Sequence, residues 1–165
     1  MKTIILHSKT YGTKEVLVDD SDHPHLVKHH WVLDKSKGTF YVYHRGSDPA
    51  GRLIKWKMHR VLLGLTDGSI VGDHIDGNGL NNQRSNLRIA TFKQNTMNRR
   101  PANKQTGYKG VCFSEYKGKR YYKCEIMANA KRYREGKFNT AEEAARRWNE
   151  LAREHHGEFA YQNPV

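Results

Sequence analysis

The chain holds only two cysteines, Cys112 and Cys124, and four prolines in 165 residues. Two thiols cannot build a disulfide scaffold or a four-cysteine zinc site, and they suit a reducing compartment. No apolar run approaches the ~18 residues that cross a bilayer. The opening Met1-Lys2-Thr3-Ile4-Ile5-Leu6-His7 carries too short an apolar patch for a secretory signal. Apolar side chains are scarce throughout: they make up 36% of the sequence, and the mean hydropathy is −0.89. Small cores beneath exposed working surfaces are therefore expected, not one large core. The length allows one domain or two small ones.

Acidic side chains are the other shortage. Lys and Arg number 29 against 17 Asp and Glu, a net charge of +12. That balance fits a polyanion binder, because each neutralised phosphate releases condensed counterions. A basic surface that merely aids solubility is the competing explanation. The excess is not confined to a tail. Residues 1–99 carry 15 basic and 9 acidic side chains, and residues 100–165 carry 14 and 8. Both halves are placed to meet phosphate.

The pattern along the chain predicts an α+β fold. Residues 1–56 form a β-rich segment. Glu15 to Asp20 reads as a strand ending in a turn, and Trp31–Asp34 and Thr39–His44 flank Lys35-Ser36-Lys37-Gly38 as a hairpin. Residues 47–51 read as a loop, 53–56 as a further strand, and Met58 to Gly64 as a short helix. Residues 57–100 then read strand, turn, polar loop, strand and helix. The strands are Ser69–Ile75 and Leu87–Ala90, and a Thr91–Gln94 capping box opens the helix. Residues 101–106 read as a linker. Residues 107–165 alternate in three runs, followed by a helix from Thr140 whose apolar face is Ala141, Ala144, Ala145, Trp148, Leu151 and Ala152. This predicts a three-stranded antiparallel sheet packed on one helix.

Within 57–100, His74, Asn86 and Asn95 stand out, with Asp73 beside His74. An Asp oxygen and an Asn amide oxygen are hard ligands of the kind Mg²⁺ accepts, and a histidine beside such an ion can take a proton from water. Neighbouring strand residues point to opposite faces, so Asp73 and His74 need a twist or bulge to share one site, which Gly72 can supply.

Met58-His59-Arg60, Asp73-His74, Asp76-Gly77-Asn78, Asn82, Arg84, Ser85-Asn86-Leu87-Arg88, Ala90-Thr91 and Asn95 together resemble the HNH (His-Asn-His) nuclease family. The likeness is closest to phage homing endonucleases of the His-Asn-Asn variety, over about residues 58–99. The resemblance implies a ββα-metal element with His74 as general base. It also implies Asp73 and Asn95 as ligands of one Mg²⁺ or Mn²⁺, and Asn86 as the residue that holds the loop and so orients His74. Products with 5′-phosphate and 3′-hydroxyl ends follow from the same likeness, as does a phage-encoded enzyme acting in the cytoplasm of a bacterial host. Two positions depart from the family pattern: Asn95 stands in place of the last His, and Asn81 where many relatives have Asp. His59 has two explanations, packing of the short helix or approach to the site.

In the third region, residues 109–137 hold nine Lys and Arg against three Glu, whereas residues 138–165 hold three Arg against five Glu. The sheet is basic and its covering helix acidic, so the sheet is expected to face DNA. Gly107-Tyr108-Lys109-Gly110-Val111, Glu125-Ile126 and Gly136 to Arg146 resemble the apetala-two/ethylene-response-factor DNA-binding domain over residues 107–162. That likeness maps DNA-facing positions to Lys109, Cys112, Ser114, Glu125, Met127, Arg132 and Arg134. Lys123 joins them by strand parity, and Arg99 and Arg100 are either a solvated helix end or a backbone clamp. Arg in place of Cys112 and Ser114, and Trp in place of Arg134, is the plant pattern, so the plant target sequence does not carry over. Each Arg either reads a base or touches phosphate. The histidines at 23, 25, 29 and 30 lack matching ligand spacing and read as solvated or phosphate-facing.

The function these features imply is a metal-dependent, site-specific endonuclease acting on double-stranded DNA, nicking or cutting both strands. A DNA-binding regulator with a degenerate nuclease element is the alternative. No obligate protein partner and no membrane association are expected.

Overall fold

The computed structural model describes residues 1–36, 38–47, 50–101 and 105–165. Lys37 of the expected hairpin turn, the centre of the expected loop at 48–49 and linker residues 102–104 lie outside the described residues. The chain is α+β and divides into two compact units, Met1–Asn95 and Thr96–Val165. No helix among the described residues is long and apolar enough to cross a membrane.

The first unit opens with a hairpin of β1 (Lys2–Ser8) and β2 (Gly12–Val18), paired from Lys2 opposite Val18 to Ser8 opposite Gly12. Ile4, Val16 and Val18 alternate inward and are buried. The chain around Pro24 forms a short helix, α1 (His23–Leu26). Pro24 suits a helix start, where its missing N–H costs nothing, and Leu26 is buried. Strands β3 (Trp31–Ser36), β4 (Thr39–Ser47) and β5 (Leu53–Lys57) form an antiparallel sheet in that order, and α2 (Met58–Leu62) follows directly. Strand β6 (Val71–His74) pairs with β7 (Leu87–Ala90), and the helix α3 (Phe92–Met97) comes next.

One core joins these pieces. Ile4, Val16, Val18, Leu26, Trp31, Leu33, Val42, Met58, Leu62 and Leu87 form a single buried cluster. The expected boundary near residue 56 is thus no break in packing, since Met58 and Leu87 pack with the N-terminal strands. The capping box at α3 forms as its sequence requires: the Gln94 N–H donates to Thr91 Oγ1 at 3.2 Å, and the Thr91 N–H donates to Gln94 Oε1 at 2.8 Å.

The second unit has β8 (Val111–Tyr116), β9 (Lys119–Ala128) and β10 (Lys131–Phe138), with β9 central, and the helix α4 (Ala141–His156). Two-residue turns join the strands. Lys117-Gly118 and Asn129-Ala130 both adopt positive φ, the geometry that matches strand twist in tight hairpins. Thr140 accepts from the Glu143 N–H and caps α4, while Gly157 at φ 56° ends it. Val111, Cys124 and Ile126 pack on Ala144, Ala145, Trp148, Leu151 and Ala152.

Gly110 fixes how close sheet and helix come. Its φ is +69°, and a Cβ there would sit 2.0 Å from Trp148 Nε1 and 2.6 Å from the Glu125 carbonyl oxygen. The Trp148 Nε1–H donates to that same carbonyl at 3.1 Å. Gly110→Ala is expected to destabilise this unit by roughly 2–5 kcal/mol, combining left-handed backbone cost with overpacking. Urea unfolding followed by Trp148 fluorescence measures it, and wild-type stability in the variant would refute the packing described.

Candidate functional site

Strand β6 is four residues long, and its last two carry opposite chemistry to opposite faces. His74, opposite Leu87, turns into a niche of the first unit and is only 4% exposed. Its Nε2 lies 3.3 Å from Asn82 Oδ1. The Asn82 side-chain N–H donates to the Gly79 carbonyl at 3.2 Å, so the amide oxygen is the atom turned toward the imidazole. That orientation places the imidazole proton on Nε2 and the lone pair on Nδ1. The His59 ring meets His74 edge-to-face at 4.7 Å, and Tyr41 lies about 6 Å from both rings. Burial pushes the His74 pKa below its ordinary value, against the hydrogen bond to Asn82 and the carboxylates of Asp76 and Asp73. For His59, burial and then the neighbouring His74 push it down to about 2.

The side chain that contacts the His74 ring is thus that of Asn82. Asn86 holds the loop. Its amide N–H groups donate to Asp76 Oδ1 at 2.9 Å and to the Asn81 carbonyl at 2.8 Å, and its Oδ1 accepts from the Asp76 N–H at 3.1 Å. The Ile75 N–H donates to the Asn86 carbonyl at 2.9 Å, which closes the loop onto the end of β6. Asn82 itself hangs from the N-terminal hairpin, because its N–H donates to the Leu17 carbonyl at 2.8 Å and the Leu17 N–H donates to Leu80 at 2.9 Å. Arg84 completes the tie with a bidentate pair to Asp22, both contacts at 2.8 Å. Asn82 is wholly buried. A polar residue in a turn-rich loop carries no sequence mark of burial, so only the tertiary contacts reveal that it is buried against His74.

Asp73 faces Arg88, its cross-strand partner in a regular register. Arg88 Nε and Nη2 both donate to Asp73 Oδ2, at 2.9 and 2.8 Å, with the two side chains 7% and 11% exposed. The bulge expected at Gly72 does not form. Gly72 instead makes room for His59, whose Cδ2 would lie 2.7 Å from any Cβ at that position. His59 therefore both packs α2 and reaches the site. Asn95 is half-buried on α3, with its N–H donating to the Thr91 carbonyl at 3.0 Å. Among the described residues no three His, Cys, Asp or Glu side chains gather as a metal cage. The oxygen donors Asp73 and Asn95 fit a hard divalent ion that keeps waters and takes substrate oxygens, and do not fit a closed zinc site.

In the second unit, Arg132 and Arg134 stand on one face of β10, opposite Met127 and Glu125 of β9. Both pair with Glu125, at 3.3 and 2.5 Å, and remain 60% and 53% exposed. Arg134 holds the Glu125 carboxyl below the usual range. Lys123 is half-buried beside Ser114, Tyr116, Tyr121 and Lys137 in a surface pocket of about 480 Å³. Arg99 and Arg100 are exposed beyond α3. Lys109 differs from the DNA-facing expectation. Its ammonium donates to the carbonyls of Met97 and Arg99 at 2.5 and 2.8 Å and lies over the Trp148 and Tyr161 rings. With Thr96 as a third partner at 3.4 Å, the ammonium caps the Thr96 and Met97 carbonyls at the open end of α3 and the Arg99 carbonyl just beyond it. Burial and Arg99 push the Lys109 pKa down to about 8.

His59 makes the first unit acid-sensitive. The unfolded chain protonates this imidazole near pH 6.5, and the folded one only near 2. Its contribution is full above pH 6.5 and is lost as pH falls, by roughly 1.4 kcal/mol per pH unit. Unfolding free energy from urea titrations is expected to drop by about 2 kcal/mol from this group between pH 7.5 and 5, and less in His59→Gln. Equal slopes in the two proteins would mean that the imidazole is solvated.

No family model matches the chain, and no solved structure matches it. An uncharacterized HNH endonuclease of Acanthamoeba polyphaga mimivirus is 31% identical to it over 147 residues, which cover 86% of this chain and 71% of the viral protein. That length exceeds either compact unit, so the likeness runs across both. On this similarity the chain belongs to the HNH endonuclease family.

Proposed function

We propose that the chain is a metal-dependent DNA endonuclease of the homing type, phage-encoded and acting in the cytoplasm of a bacterial host. It hydrolyses a phosphodiester bond to 5′-phosphate and 3′-hydroxyl ends. The observation that supports this best is His74: an imidazole held uncharged by burial and fixed in one tautomer by Asn82, in a chain of a nuclease family. With Nε2–H directed at Asn82, Nδ1 accepts the proton of the attacking water. The water oxygen bonds to phosphorus, and the 3′ oxygen departs and is protonated by solvent. A general base of this kind contributes ~10²–10⁴ in rate. Asp73 and Asn95 would hold Mg²⁺ or Mn²⁺. When bound, that ion supplies charge stabilisation at the scissile phosphate and the leaving oxygen. Asn86 keeps the loop closed so that Asn82 and His74 stay in register.

The second unit serves, in this proposal, as the DNA-binding module of apetala-two/ethylene-response-factor type. Arg132, Arg134 and Lys123 meet the duplex, Glu125 sets the two arginines, and Arg99 and Arg100 clamp the backbone. Surface pairs such as those with Glu125 are worth only ~0–1 kcal/mol, so the arginines exchange Glu125 for phosphate at little cost. Lys109 does not join them, because its ammonium is engaged by carbonyls. Two observations favour the alternative of a non-catalytic DNA-binding regulator: the Asp73 carboxylate is paired with Arg88, and without a bulge at Gly72 it leaves β6 on the face opposite His74.

Relaxation of supercoiled plasmid with Mg²⁺ or Mn²⁺, against a chelator control, separates the two. His74→Ala should lose at least ~10²-fold in cutting while retaining DNA. Cutting at the parental rate would remove His74 as the base. Asn95→Ala is the cleaner metal probe, expected to raise the Mg²⁺ concentration needed for cutting. Asp73→Ala also strands Arg88 in a buried place, at about 3–5 kcal/mol.

Arg132→Ala with Arg134→Ala should weaken duplex binding and reduce its salt slope by ~0.9 for each phosphate that is no longer neutralised. Anisotropy titrations at several salt concentrations measure this, and unchanged binding would take the sheet out of the interface.

A further inference from the structure

The first unit contains an aromatic slot that the nuclease chemistry does not use. His29, Trp31, His44, Trp56 and Val61 line a pocket of about 390 Å³, a size that ligand pockets commonly have. His44 on β4 and Trp56 on β5 are cross-strand partners, stacked at 5.6 Å and 15°. His29 and Trp31 meet His44 edge-on at 5.5 and 6.1 Å. The walls are fixed. Trp31 Nε1–H donates to the Leu26 carbonyl at 2.7 Å, and Trp56 lies over Gly46, nearer than a Cβ would allow. His44 Nδ1 contacts the His30 carbonyl at 2.8 Å. The carbonyl can only accept, so Nδ1 carries the proton and Nε2 is an acceptor. Trp56 is nevertheless 38% exposed and Val61 48%. A built aromatic wall left partly open to water is a binding surface in want of a planar apolar guest.

The charge around it selects the guest. Residues 28–61 hold eight Lys and Arg against two Asp, whereas the rest of Met1–Asn95 holds six basic and seven acidic side chains. The positive excess of the unit thus lies in the stretch that builds the slot. A cationic ligand, the usual occupant of an aromatic cage, would be repelled, and an anion bearing a flat ring would be drawn in. Strand β5 is an edge of its sheet, with Lys55 and Lys57 exposed on the face opposite Trp56. A sugar-phosphate chain following that edge keeps its phosphates near the lysines while one base reaches over into the slot.

We infer that this slot receives one unstacked nucleobase of the DNA strand that the protein engages. Stacking of this kind tolerates any sequence, since every base has a π-face. The inference rests on the reading of the chain as a DNA-acting nuclease and adds to it a second point of grip, in the N-terminal unit, for a base out of the helix.

The test uses the full chain in chelator, so that nothing is cut. A fluorescein-labelled 12-nucleotide single strand of mixed sequence and the matching paired duplex are titrated by anisotropy, and tryptophan emission is read in parallel. Wild type should bind the single strand with quenching of Trp56. Trp56→Ala should lose roughly 5- to 100-fold in single-strand affinity and lose that quench, while duplex affinity falls less and Trp56→Phe keeps most of both. His29→Ala, an exposed position, should give a smaller loss in the same direction. If Trp56→Ala binds the single strand like wild type with the quench intact, the slot is not a base receptor, even where duplex binding and plasmid cutting are normal. If wild type binds neither form and cuts no plasmid, the nuclease reading fails and the slot inference falls with it.

Discussion

The hydrogen bond between Asn82 and His74 is the contact on which the first unit is organised. Both side chains are almost without solvent, at 0% and 4% exposure. A buried polar pair is costly unless every partner is in place, so it constrains all that surrounds it. Asn82 satisfies its remaining donors on Gly79 and Leu17, and so needs the loop and β2 at fixed positions. Arg84 pins the same loop to Asp22, and Asn86 pins it to Asp76 and Asn81. The N-terminal hairpin is therefore part of the support of the candidate site.

Strand alternation then separates two side-chain environments over a distance of one residue. His74 enters the niche with His59 and Tyr41, where low polarity keeps imidazoles uncharged. Asp73 goes to the other face, where Arg88 answers its charge. Gly72 permits this without any irregularity of the strand, because its missing side chain is the space His59 fills. A candidate base and a candidate ligand can thus be adjacent in sequence and still occupy different environments.

Much of this is legible where local chemistry decides the outcome. Thr91 with Gln94 and Thr140 with Glu143 announce helix starts by spacing alone, and both caps form. The parity of Tyr122, Cys124 and Ile126 against Lys123, Glu125 and Met127 determines which face of β9 meets Trp148. What is not legible depends on partners far away in sequence. Lys109 counts as a surface cation until the carbonyls ending α3 are brought to it. Asn82 counts as a turn residue until Leu17 takes its N–H. Leu26 gives no strand or helix period by itself, and α1 exists because the core accepts that one side chain. Asn86 reads as a loop holder and does hold the loop, while the side chain in contact with the His74 ring is that of Asn82, four residues earlier, a distinction that spacing does not carry.

The two prominent arginine–carboxylate groupings show how burial divides structural from exchangeable charge. Arg88 and Asp73 are about one-tenth exposed or less, so neither can leave without stranding the other in a medium that solvates it poorly. Arg132 and Arg134 share Glu125 at the surface, more than half exposed, where water compensates any separation. The same chemical pair is thus a fixed strut in the first unit and a resting partner in the second. Any ligand that displaces Glu125 competes with a solvated surface carboxylate, whereas a cation approaching Asp73 would have to share that carboxylate with Arg88. The two groupings therefore set opposite electrostatic conditions: the carboxylate at the surface is exchangeable, and the buried one is held.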